Sequence, residues 1–140
     1  MPDSLCFAAS AMRYVSGFNS SLRTAIEMTD SNSPIACDMT AIPPEQRPAH
    51  LETSRDLFSQ IQELRELSNG YQFRFASESS LLLKLAEFVS LEKLCCPFLS
   101  FMIEVVAEGG PVWLRMIGRD GVKAFIREEI NGLLGVTINW

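Results

Sequence analysis

Polar and apolar residues follow regular periods from Pro34 onward. Tyr71, Phe73 and Phe75 alternate with Gln72, Arg74 and Ala76, the period of a half-buried strand. At about 100° per residue, Leu81, Leu82, Leu85, Phe88, Val89 and Cys95 fall on one arc, predicting a helix from about Ser80 to Leu94 or Cys95. Ser77, Ser79 and Ser80 offer caps for it, and Pro97 stops it by pushing Cys96 out of the helical region. Phe98 to Ala107 and Val112 to Gly118 read as strands around a hairpin at Glu108-Gly109-Gly110-Pro111. Asp120 caps a last helix to about Ile130, with Val122, Phe125, Ile126 and Ile130 facing inward, and Val136, Ile138 and Trp140 form a final strand. Upstream, Ile35 to Thr40 reads as a short strand, and Pro43-Pro44-Glu45 marks a helix entry. That helix begins near Arg47 or Pro48 and runs to about Glu66, with Leu51, Leu57, Phe58, Ile61 and Leu64 on its arc, before a turn at Ser68-Asn69-Gly70. The order from Tyr71 is β-α-β-β-α-β. It predicts an α+β fold, a ferredoxin-like sandwich of one antiparallel sheet with helices on one face, preceded by an additional N-terminal helix. The alternative is a βαββα core whose last segment is only a tail.

Residues 1–33 are rich in Ser, Asn and Thr, with apolar residues scattered among them, and read as a poorly organised extension of a single domain at 34–140. Met28 is an alternative natural start, which would leave residues 1–27 outside the natural protein. The chain has 140 residues, 47% of them hydrophobic and 21% charged, enough to build a core, so disorder throughout is excluded. A net charge of -5 with a pI near 4.9 argues against nucleic acid as partner. The uncharged stretch Ser4 to Met12 is too short to span a bilayer, so neither a membrane segment nor a signal peptide is expected. Four cysteines, at positions 6, 37, 95 and 96, are too sparse for a secreted disulfide scaffold and suggest a reducing, cytoplasmic setting.

The informative residues are polar ones in apolar places. Glu92 falls inside the arc of its helix, three residues before Cys95, where a carboxylate needs a partner or a shifted pKa. It either reaches solvent, forms an ordinary ion pair or joins a site. Arg47, His50 and Ser54 project within or beside the buried arc of the first helix. His50 is the only histidine, and Arg47 is the expected counter-ion for Glu92. The adjacent Cys95 and Cys96 are sterically poor for an internal disulfide but well placed to give two thiolates to one soft ion. Cys37 lies just before the first helix and can approach the same end. Cys37, His50, Cys95 and Cys96 thus make a candidate ligand set for zinc or a softer metal, with Glu92 and Arg47 as structural or ligand-orienting neighbours. The plainer reading is that both adjacent cysteines are small apolar core residues. Gly118-Arg119-Asp120-Gly121 reads as a turn and cap, and Lys123 with Arg127 as a solvated face.

The strings Ala36-Cys37-Asp38, Arg47 with His50, Asn69 to Phe75, and Glu92-Lys93-Leu94-Cys95-Cys96-Pro97-Phe98 carry a resemblance. From Ala36 to about Glu129, about two thirds of its length, the chain resembles a family of small, largely uncharacterised bacterial proteins with a Glu-x-x-Cys-Cys-Pro-Phe signature. The resemblance implies a bacterial, cytoplasmic protein and transfers no catalytic residue. Three functions follow from the residues themselves. The first is a small thiol protein binding a soft metal or metalloid. The second is a non-catalytic module that dimerises through a sheet face carrying Phe98, Met102 and Val106 or Trp113 and Ile117, or binds a small ligand. The third is a cysteine-dependent enzyme, against which stands the neighbouring carboxylate that disfavours a thiolate.

Overall fold

The computed structural model describes residues 33–140, which form one compact unit. Residues 1–32, with Cys6 and the candidate start at Met28, lie outside the described residues. After two single-turn 3-10 segments, Met39–Ala41 and Pro44–Gln46, come α1 (Arg47–Phe58), β1 (Glu63–Leu67), β2 (Gly70–Phe75), α2 (Ser79–Cys95), β3 (Ser100–Val105), β4 (Val112–Ile117) and α3 (Val122–Leu134). The four strands form one antiparallel sheet in the order β1-β2-β4-β3. No helix among the described residues is long and apolar enough to cross a membrane.

The fold is therefore α+β, but its order differs from the expected one. Two consecutive β-β-α units join through β2 and β4, and the fourth strand comes from residues 63–67 rather than from the C-terminus. The ferredoxin-like order needed a strand at Val136 to Trp140, and none forms there. Instead the tail folds back: the Ile138 N–H and the Trp140 indole N–H both donate to Asn131 Oδ1, at 3.0 and 3.1 Å, and Trp140 packs edge-on against Tyr71. The alternative in which the last segment is a tail describes that end correctly.

The long helix expected to reach Glu66 stops at Phe58. Its last turn closes with the Gln60 and Ile61 backbone N–H groups donating to the Leu57 and Phe58 carbonyls, while Ser59 Oγ and Gln60 Nε2 both donate to the Asp56 carbonyl. Glu63-Leu64-Arg65-Glu66-Leu67 then pairs residue for residue with β2, a case of sheet pairing overriding helix propensity. Gly70 is required where β2 meets β4, because a Cβ there would lie 2.0 Å from the Met116 carbonyl oxygen. In the β3–β4 hairpin, Glu108 and Gly109 both have positive φ, 58° and 72°, as a tight primed turn demands. The strand expected at Ile35 to Thr40 is absent: Asp38 instead caps the first 3-10 turn, accepting from the Thr40 N–H at 3.0 Å. Nor does Asp120 cap α3, whose cap residue is Gly121 at φ 96°.

Tyr71, Phe73 and Phe75 with Val112, Leu114 and Met116 form the buried face of the sheet, and the helices cover it. Phe58 of α1 meets Phe73 and Phe75 edge-on, Phe88 of α2 meets Phe101, and Phe125 of α3 meets Phe98. The Lys123 and Arg127 pair is not merely solvated, because it ties α3 to Glu66 and to the Tyr71 hydroxyl. On the opposite face, the Arg65 guanidinium lies 4.5 Å over the Trp113 ring and Arg115 donates to Gln72 at 3.0 Å. Of the residues suggested for a dimer face, Phe98 belongs to the core and Trp113 is buried, while Met102 is exposed.

Candidate metal centre

The centre is built at the C-terminal end of α2. Leu81, Leu85, Phe88 and Cys95 are the buried residues of this helix, and Glu92 continues their stripe one turn beyond Phe88. Pro97 ends the helix, so Cys95 is its last residue and Cys96 leaves it at φ -127°, ψ 66°. This change of backbone conformation lets two consecutive side chains turn to one place. Cys95 and Cys96 are both fully buried, with their sulfurs 3.8 Å apart.

Glu92 sits over both thiols. Cys95 Sγ lies 3.5 Å from Glu92 Oε2, and Cys96 Sγ lies 3.4 Å from Oε1. The segment before α1 is pinned beside them, because the Asp38 N–H donates to the Cys95 carbonyl at 3.0 Å. The Sγ atoms of Cys37, Cys95 and Cys96 consequently all lie within 4.8 Å of one another. None of the three is in a disulfide.

From α1, His50 closes the centre. Its Nε2 is 2.8 Å from Glu92 Oε2, its ring stacks on Phe88 at 5.8 Å, and it is almost wholly buried. His50, Glu92 and Cys95 form a second set of donor atoms within 4.8 Å of one another. His50 Nδ1 is buried without a partner among the described residues.

Protons are shared unequally across the group. The hydrogen bond from the Cys96 thiol, helped by His50 and Cys37 and opposed by burial, brings Cys95 down to about 6. Burial and then the Cys95 charge push Cys37 up to about 12, while the Cys95 hydrogen bond and burial push Cys96 up as well. Burial pulls His50 down, but the hydrogen bonds and charges of Cys95 and Glu92 outweigh it and lift the imidazole to about 9. At neutral pH the cluster therefore holds one thiolate beside an imidazolium, with two further thiols able to give up protons to an ion. The carboxylate's effect on Cys95 has the sign expected from the sequence, yet the Cys96 and His50 donors outweigh it.

Five of the six residues singled out in the sequence thus meet: Cys37, His50, Glu92, Cys95 and Cys96. Arg47 does not. Its Nε donates to the Ile42 carbonyl at 2.9 Å and its Nη2 to the Thr40 carbonyl at 3.2 Å, so it braces the turn before α1 and is no counter-ion for Glu92. The difference is one of reach, since the carbonyls of the segment that leads into α1 lie next to an Arg in its first turn. Cys37, His50 and Glu92 also line a cavity of about 290 Å³, together with Glu128 and Glu129 of α3. Partial loss of solvation, then repulsion from Glu92 and Glu128, raises the Glu129 carboxyl. Those two acids were not among the candidates. They carry no periodicity signal, because their role depends on α3 packing against α1. Compared with protein-family models, curated proteins and solved structures, the chain matches none.

Proposed function

We propose that the protein binds a soft, thiophilic metal or metalloid ion through Cys95, Cys96 and Cys37, with His50 and Glu92 orienting the thiols and exchanging their protons. The observation that carries this reading is the convergence of three sulfurs within 4.8 Å, two of them fully buried. Four ligands around zinc at about 2.3 Å place neighbouring sulfurs about 3.8 Å apart. The Cys95–Cys96 separation of 3.8 Å meets that requirement without backbone movement. Zinc would take a fourth donor from the His50 and Glu92 side, whereas trivalent arsenic is satisfied by three sulfurs. The string Glu92-Cys95-Cys96-Pro97-Phe98 supports kinship with the bacterial Glu-x-x-Cys-Cys-Pro-Phe family, since each member has a part here. Glu92 meets the thiols, Pro97 ends the helix and Phe98 anchors the exit on Phe125.

Thiol titration of the reduced protein with and without one equivalent of zinc or arsenite tests the proposal, with bound ion counted by mass spectrometry. Protection of at least two thiols is expected, and Cys95→Ser abolishes it. Thiols that stay equally reactive after either ion overturn it. A thiol-dependent enzyme is the second reading, favoured by the Cys95 thiolate beside the His50 imidazolium. Against it stands the full burial of Cys95, so slow alkylation at all pH values removes it.

A further inference from the structure

An inorganic ion among the three sulfurs leaves the neighbouring cavity unexplained. Cys37, His50 and Glu92 belong to its wall, and the rest is largely apolar, with Phe58, Phe88, Leu51, Ile130 and Leu133. An apolar cavity of about 150 Å³ suffices for benzene. The volume here, about 290 Å³, therefore suits one ring or a short branched chain and falls short of a drug-sized ligand. Three carboxylates on the wall, Glu92, Glu128 and Glu129, are accompanied among the described residues that line it by His50 and Arg55 as the basic groups, which disfavours an anion. His50 Nδ1 is buried without a partner among the described residues.

We propose that the ligand is a monoorgano derivative of a thiophilic element, such as a monoaryl trivalent arsenical, with its heavy atom on the cysteine sulfurs and its organic group in the cavity lined by Phe58, Phe88 and Leu133. The inference rests on the thiol-site reading and adds the substrate class. For a phenylarsonous acid, two S–As bonds form and two As–O bonds break. The Cys37 thiol proton and the proton held by the His50 imidazolium leave with the two oxygens as two water molecules, and arsenic stays trivalent throughout. Cys37, as a wall residue, supplies one sulfur, and Cys95, within reach of it, the other.

Gly132 provides the test. It lines the cavity from α3, and a Cβ added there meets nothing within 4 Å, so Gly132→Phe can fill the space without a backbone clash. The full chain is equilibrated with phenylarsine oxide, methylarsonous acid or arsenite against dithiothreitol, and bound arsenic is counted. Relative to dithiothreitol, the wild type should prefer the phenyl compound over the methyl one at least tenfold. Gly132→Phe should erase that preference and leave arsenite binding unchanged, while Gly132→Ala retains it. Equal partition of phenyl and methyl compounds in the wild type overturns the inference, a comparison that stands even if Gly132→Phe fails to fold. A folded Gly132→Phe variant that keeps the preference overturns it too, and arsenite still protecting the thiols would then leave the thiol site intact. Failure of all three arsenicals to protect the thiols, with zinc also without effect, overturns both readings.

Discussion

Replacing Glu92 with alanine removes the 2.8 Å carboxylate partner of His50 Nε2 and leaves the buried imidazole with the Cys95 sulfur as its remaining acceptor. The His50 side chain is 2% exposed and that of Glu92 16%, so solvent replaces little of what is lost. Lifting the imidazole from 6.5 to about 9 corresponds to about 3 kcal/mol in favour of its charged form, a gain shared between Glu92 and Cys95. Losing the carboxylate's share and its hydrogen bond should destabilise the protein by about 2 to 3 kcal/mol at pH 6, below the usual range for a fully buried pair. Glu92→Gln keeps an oxygen for Nε2 and should cost about 1 kcal/mol. The sign with pH follows from the raised value: the His50 contribution is complete below 6.5 and disappears as pH rises through about 9. Cys95, depressed to about 6, behaves in the opposite sense, and loss of the Glu92 charge favours its thiolate. Both effects shrink the penalty of Glu92→Ala in alkali, to about 1 kcal/mol at pH 10. Urea melts of wild type and both variants at the two pH values, under reducing conditions, measure it. A gap below about 0.5 kcal/mol, or one that does not narrow toward alkali, refutes the argument.

Arg47→Ala should cost about 1 to 2 kcal/mol in a urea melt through loss of the Ile42 and Thr40 carbonyl contacts, while thiol protection by zinc stays unchanged. Gly70→Ala places a Cβ 2.0 Å from a backbone carbonyl and should cost about 3 kcal/mol or more, read as a large drop in denaturation midpoint. Thiolate absorbance of the native protein should show one ionisation with a midpoint near 6, absent from Cys95→Ser, because the thiolate and its stabilisation are lost as pH falls through that value.

Local patterns alone located β2, α2, the β3–β4 hairpin and α3, because each carries its own period and stop signal within a few residues. The anomaly of Glu92 in an apolar stripe and the buried position of His50 were equally legible, since periodicity places a side chain on a helix face whatever that face meets. Pro97 likewise determines that Cys95 and Cys96 leave the helix in different conformations. Only tertiary structure decided the rest. Glu63 to Leu67 is made of helix-forming residues and became a strand because β2 offered a free edge; the C-terminal residues, β-prone by composition, found that position already occupied. Arg47 paired with nearby carbonyls rather than with Glu92, a choice made by distance and not by charge type. The cavity needed three helices crossing at one end of the sheet, so Glu128, Glu129 and Gly132 gained their places from packing between segments far apart in the chain. A single sequence encodes what a residue prefers with its neighbours in the chain; which distant groups it meets depends on the joint packing of all elements, where several kcal/mol of burial outweigh local preferences of a few tenths each.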